Sequence, residues 1–212
     1  MHRSANPLFL KAFSGCRRVP LYIVVLVTVA GCAWFRHEPA LSVPDVGGFA
    51  VKGRLAVRQG DDGFTSNFRW QHATGHDEID LWGPWGQGHS RWVDDGGEVT
   101  VYTSKGDVYR DDDSDAAMRR WLGFTLPVDA LTHWIRGERV PGLSVRAIAA
   151  DAAGDVTVLE QLSWRLEFSN YKSEPEGARL PGRIVAVRND VKITLLPTEW
   201  SFGERPALID TP

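Results

Sequence analysis

Cysteine is nearly absent from this 212-residue chain: there are two, Cys16 and Cys32, both within the first 32 residues. Everything downstream must fold without a disulfide, and it offers no thiolate nucleophile and no Cys-ligated zinc site. Acidic residues are missing from residues 1–31, which carry Arg3, Lys11, Arg17 and Arg18. A membrane-spanning run is missing too. A helix needs roughly 20 apolar residues to cross the hydrocarbon core, and the most apolar stretch, 19–30, has 12 positions. There is no G-x-S-x-G nucleophile elbow, no internal repeat and no long low-complexity tract.

What stands in place of a span is a basic start, a short apolar segment and then Val29-Ala30-Gly31-Cys32. That order is the layout of a secretory signal. A cysteine at the first mature position resembles a bacterial lipobox, in which the thiol is diacylated and the freed amine acylated. Residues 1–31 are therefore expected to be a signal peptide and Cys32 the lipidation site. The plainer alternative is a secretory signal that happens to have a cysteine nearby. The mature chain of 181 residues suits one domain with a sizeable core. It keeps all nine Trp and sets 20 basic against 27 acidic residues, a net charge of −7. That balance argues against nucleic acid as a partner and against docking on anionic surfaces by charge alone.

Residues 32–47 show no sustained period and contain Pro39 and Pro44, which reads as a lipidated flexible tether. Its r.m.s. reach is ~20 Å, and at most ~50 Å if stretched. From Phe49 the pattern has period 2. Phe49, Val51, Gly53, Leu55 and Val57 share one face of a strand, and Phe64, Ser66, Phe68 and Trp70 share one face of the next. Turns at Gln59–Gly63, Thr74-Gly75, Asp94–Gly97 and Lys105-Gly106 separate further short strands, including one with Ile79 and Leu81 on one face. This is an antiparallel meander.

The middle changes period. Asp113-Ser114-Asp115 can cap a helix holding Ala116, Ala117, Met118, Trp121 and Leu122, stopped by Gly123. Pro127 opens a second helix with Val128, Leu131, Trp134 and Ile135 on one face, ended by Gly137. Strand patterns return near 143–149, 155–161, 163–169, 182–188 and 191–196, with Asn189-Asp190 as a turn. Residues 201–212 read as a disordered tail. The sum is a mostly β (α+β) domain over residues 48–200, a sheet of about 11 strands with helices inserted mid-chain. So large a twisted sheet tends to curl, and the helices would then cover an oily inner face.

The chain resembles the outer-membrane lipoprotein receptor LolB family over nearly all its length. The resemblance rests on the lipobox, Gly53-Arg54-Leu55-Ala56-Val57, Phe68-Arg69-Trp70-Gln71 and Gly83-Pro84-Trp85-Gly86. It continues through residues 126–137, Trp164 with Tyr171, Leu180-Pro181 and a terminal strand ending in Trp200. It implies an unclosed antiparallel β-barrel with an α-helical lid, monomeric and without cofactor or metal, whose cavity takes lipoprotein acyl chains from a periplasmic LolA-like carrier. The chains would then pass to outer-membrane lipid, the protein itself being lipid-anchored on the periplasmic face. The inward positions expected to line that cavity are Leu55, Val57, Phe68, Trp70, Ile79, Leu81, Met118, Leu122, Leu131, Trp134 and Ile135. The helical ones serve equally well as ordinary core. Where the family's protruding loop carries an exposed leucine, this chain has Trp85, expected with Pro84 and Gly86 to form a membrane-insertion loop. The alternative folds the indole back onto the sheet. Ala33, rather than Asp, follows Cys32, which under the sorting rule favours the outer membrane.

Other chemistries fare worse. His72, His76 and Asp77 flank a hairpin turn without the support a metal site needs. Asp111–Asp115 lacks the spaced Gly and distal Glu of a calcium loop, and Gly83–Gly88 lacks the Lys-Ser/Thr of a phosphate loop. Arg54 and Arg136 read as surface or lid-edge charges. No catalytic residue is assigned. A hydrolase acting on glycan or lipid, and a structural envelope lipoprotein, remain as alternative functions.

Overall fold

The computed structural model describes residues 47–203, apart from 123, 125, 175 and 176. The signal peptide, Cys32, the tether up to residue 46 and the tail from 204 lie outside the described residues. Six strands come first: β1 (Gly48–Gln59), β2 (Asp62–Ala73), β3 (His76–Trp82), β4 (Ser90–Asp95), β5 (Glu98–Thr103) and β6 (Val108–Asp111). Helices α1 (Ser114–Leu122) and α2 (Val128–Trp134) follow. Then come β7 (Val145–Ala150), β8 (Val156–Gln161), β9 (Trp164–Ser169), β10 (Lys172–Ser173), β11 (Arg179–Leu180), β12 (Arg183–Arg188) and β13 (Val191–Phe202).

Eleven strands make one sheet in the order β6-β5-β4-β3-β2-β1-β13-β12-β9-β8-β7, every neighbour antiparallel. The first and last strands of that order are not paired to each other, so the sheet stays open, as expected. One buried cluster draws Phe49, Phe68 and Trp70 together with Trp134, Leu159, Leu166 and Ile184. Strands far apart in the order thus share one core with α2.

The structure departs from the sequence pattern at three places. The last strand runs past position 196, where its period ends, and past Trp200, where the resemblance ends it, to Phe202, so Ser201 and Phe202, assigned above to the tail, pair with Ala50 and Phe49. Pro197 is tolerated because the register shifts beside it, leaving Thr198 as the extra residue, its hydroxyl donating to the Lys52 carbonyl at 3.2 Å. A two-residue ladder, β10 with β11, was not legible because it is shorter than any period. Ile135 caps α2 rather than continuing it. Of the three capping candidates for α1, Asp113 does the work: its carboxylate accepts from the Ala116 N–H at 3.1 Å.

Gly137 closes α2 at φ +78°, where a Cβ would lie 2.6 Å from the Tyr171 hydroxyl, so only glycine fits. Beyond it, Gln161 ties the lid to the sheet. This side chain is buried. It accepts from Trp134 Nε1 (3.3 Å) and the Val140 N–H (2.9 Å), and donates to the carbonyls of Val140 (3.0 Å) and Leu143 (3.3 Å). Gln161→Leu keeps the bulk and strands these groups without partners, at about 2–4 kcal/mol in total. Thermal unfolding should fall by roughly 5–15 °C; an unchanged midpoint would show the contacts to be idle.

Candidate functional site

Strand pairing sets the inner face. Val51, Trp70, Ile79, Trp92 and Val101 lie side by side across β1 to β5. The next row toward the β1–β2 turn is Gly53, Phe68, Leu81, Ser90 and Thr103. Val57, Phe68, Trp70, Trp134 and Ile135 join the main buried cluster, and Leu55, Ile79, Leu81 and Leu131 pack on its margin. Met118 belongs to a second cluster with Trp92, Val99, Val101, Ala117 and Val128, and Ile79 touches both. Leu122 lies in α1, with its side chain outside what is described. The structure therefore brings the candidate strand positions onto one face, with Met118, Leu131, Trp134 and Ile135 packed against it, and much of that face is filled by the protein's own side chains. Two described spaces adjoin it.

The larger space, about 820 Å³, sits at the end of the sheet holding the turns Thr74-Gly75 and Gly96-Gly97. Its wall is acidic, with Asp77, Asp94, Asp112, Asp113 and Asp129. Asp113 caps α1, and Asp77 and Asp94 are engaged as well. Asp77 Oδ1 takes the Trp70 indole N–H at 2.6 Å and lies 2.9 Å from His72 Nδ1. Asp94 accepts from the Gly97 N–H at 2.8 Å and from the Ser114 hydroxyl at 2.5 Å. His72 and His76 reach different carboxylates, Asp77 and Asp95, and do not converge.

The smaller space, about 370 Å³, opens at the other end of β3 and β4, beneath the Gly83–Gly88 loop. Its lining carries no charge: Phe64, Leu81, Trp92 and Val101 supply the apolar walls, and Thr65, Ser66, Gln87 and Ser90 the polar ones. The loop is held by its own backbone. The Gly86 N–H donates to the Gly83 carbonyl at 2.9 Å, and the Gly83 N–H to the Gln87 carbonyl at 2.8 Å. The Trp85 N–H donates to Gln87 Oε1 at 3.0 Å. Pro84 and Gly86 are exposed, and Trp85 is 89% exposed. The indole does not fold back onto the sheet.

The outer face holds what the sequence analysis missed. Asp80, 1% exposed, receives Arg69 Nε at 3.1 Å and Nη2 on the same oxygen. Its other oxygen takes Arg91 Nε at 3.0 Å and lies 3.0 Å from His89 Nε2. Burial alone would raise the Asp80 pKa; the hydrogen bonds from Arg69 and Arg91 outweigh it and hold the carboxyl below its ordinary value. The two-residue turn at Thr74-Gly75 fixes the register that sets Arg69 opposite Asp80, so the pairing could have been counted from sequence. His89 ends the Trp85 loop, so this cluster anchors the loop's base.

A family model described as Outer membrane lipoprotein LolB matches residues 48–200. The chain belongs to the outer-membrane lipoprotein receptor LolB family. It is 32% identical over 154 residues to the outer-membrane lipoprotein LolB of Azoarcus sp. (strain BH72), covering 73% of this chain and 78% of that one. It is also 32% identical over 187 residues to the LolB of Chromobacterium violaceum, covering 87% and 98%. With the LolB of Cellvibrio japonicus it shares 25% identity over 197 residues, covering 86% and 97%. As a LolB-family member it is an outer-membrane lipoprotein, and its open sheet with two inserted helices is the fold anticipated for that family.

Proposed function

We propose that this LolB-family protein takes lipoproteins from a soluble periplasmic carrier of the LolA kind by burying their acyl chains beneath α1 and α2. It then releases them into outer-membrane lipid, without catalysing a covalent step. In this reading Cys32 carries the acyl anchor on the periplasmic face, residues 33–47 let the domain reorient, and Trp85 enters the bilayer. The observation that carries it is the inner face itself. Its row Val51, Trp70, Ile79, Trp92 and Val101 is apolar throughout and leads to an uncharged opening beside an indole that is 89% exposed.

The energetics favour hand-over rather than release into water. Burying an acyl chain is worth ~0.8 kcal/mol per CH₂, so a chain of about sixteen carbons gains ~12 kcal/mol. Passage between two oily sites cancels nearly all of that, and a residual difference of ~1.4 kcal/mol directs transfer tenfold. No nucleotide is needed. The test is to mix carrier loaded with a labelled lipoprotein and this protein, then separate the two. The label should move to this protein and from there into vesicles; label remaining on the carrier would overturn the proposal.

A further inference from the structure

The two spaces at the ends of the inner face are not independent. Between them, under α1, lies a crevice of only about 10 Å³ walled by Ile79, Trp92, Val99, Met118 and Val128. It shares Trp92 with the uncharged groove, and Asp77, Asp94, Ser114 and Val128 with the acidic space. The shared residues link the three into one seam along strands β3 to β5, and α1 covers its narrow middle, where Met118 packs with Trp92 and Val99. Among the described α1 residues, Ala117 and Met118 are buried there, one small and the other unbranched. An unbranched thioether side chain changes shape at low cost.

We propose that this seam is the track on which an acyl chain lies, with Met118 as its plug and the chain's methyl end toward Trp85. The proposal rests on the acyl-binding reading above and adds the seat, the gate and the polarity. Polarity follows from charge. Five aspartates wall one end, and a hydrocarbon terminus there would strip water from carboxylates without replacing their hydrogen bonds. The groove at the other end has no charged wall, so the methyl end goes there. The ester head stays at the acidic end, where polar groups and water can meet it. Met118 lines the crevice and neither of the larger spaces, so it stands where a chain reaching from one to the other has to pass.

The experiment uses the full-length protein and a palmitoylated lipopeptide carrying a diazirine either at the methyl end or next to the carbonyl. After photolysis the labelled residues are read by mass spectrometry. The methyl-end probe should mark Leu81, Trp92 or Val101, and the carbonyl-end probe Val128 or Thr132. The reverse pattern overturns the polarity. Capture with labels only on the β8, β9 and β12 half of the sheet overturns the seam but leaves the acyl-binding reading standing. No capture at all sinks both. Met118→Trp should slow capture at least tenfold while Met118→Leu does not, each checked for folding by near-ultraviolet circular dichroism. Capture by folded Met118→Trp at the parent rate, with the same labels, removes Met118 from its role.

Discussion

Trp85→Glu is expected to leave the protein folded and able to take up lipoprotein, yet unable to deliver it to vesicles. The side chain touches nothing that the fold needs: it is 89% exposed, and the turn beneath it is held by backbone groups and by Gln87. The backbone N–H that donates to Gln87 survives replacement of the indole by Glu or Leu. What changes is the partition into lipid. Replacing an apolar side chain by a carboxylate at membrane depth costs about 3 kcal/mol, so vesicle delivery should fall on the order of 100-fold. Trp85→Leu keeps the apolar character and should retain most delivery. The measurement is transfer of a labelled lipoprotein from preloaded protein to vesicles, with uptake from the carrier as the control. Delivery by Trp85→Glu at the parent rate would show that the indole is not the part that meets the membrane.

Asp80→Asn should cost stability on the same scale as Gln161→Leu. Arg69, itself buried, would lose its nearest ionic partner and keep the more distant Glu78, at 4.0 Å; a buried charge left wholly uncompensated typically costs about 3–5 kcal/mol. Arg91 and His89 are nearly half exposed, and water can take over their part. The lower end of that range is therefore expected, roughly a 6–12 °C fall in the unfolding midpoint. The effect has a definite pH dependence. Asp80 stays ionised to lower pH in the fold than in the unfolded chain, so its contribution is complete above the ordinary carboxylate pKa of about 3.9. It drains away as pH falls through the lower, folded value. The gap between parent and variant should be widest near neutrality and shrink in acid. Equal midpoints at pH 7 would show that the cluster contributes nothing.

Much of the fold was legible because half-buried strands advertise themselves. Phe64, Ser66, Phe68 and Trp70 alternate with polar neighbours, and glycine-bearing turns mark where the chain reverses. The last strand was cut short at Pro197 because a bulge that excuses proline depends on the opposing strand, which no local window contains. β10 and β11 are held by what surrounds them and carry no pattern of their own. For the candidate site, parity placed the apolar residues on one face correctly, and the turn at Gly83–Gly86 presented Trp85 outward. Sequence could not say where that face is filled and where it is empty, since packing is decided by which side chains meet across the curl. Nor did alternation distinguish Arg69 and Asp80, buried on the far side, from ordinary solvated charges.

The sheet's failure to close has a consequence for what it can carry. In a closed barrel the girth is fixed by strand number and stagger. Here β6 and β7 are the sheet's margins, one only four residues long and the other bulged at Arg146, which discourages either from zipping to a neighbour. No closed ring of hydrogen bonds therefore holds this wall to one girth, which suits the proposed role of enclosing cargo of varying bulk.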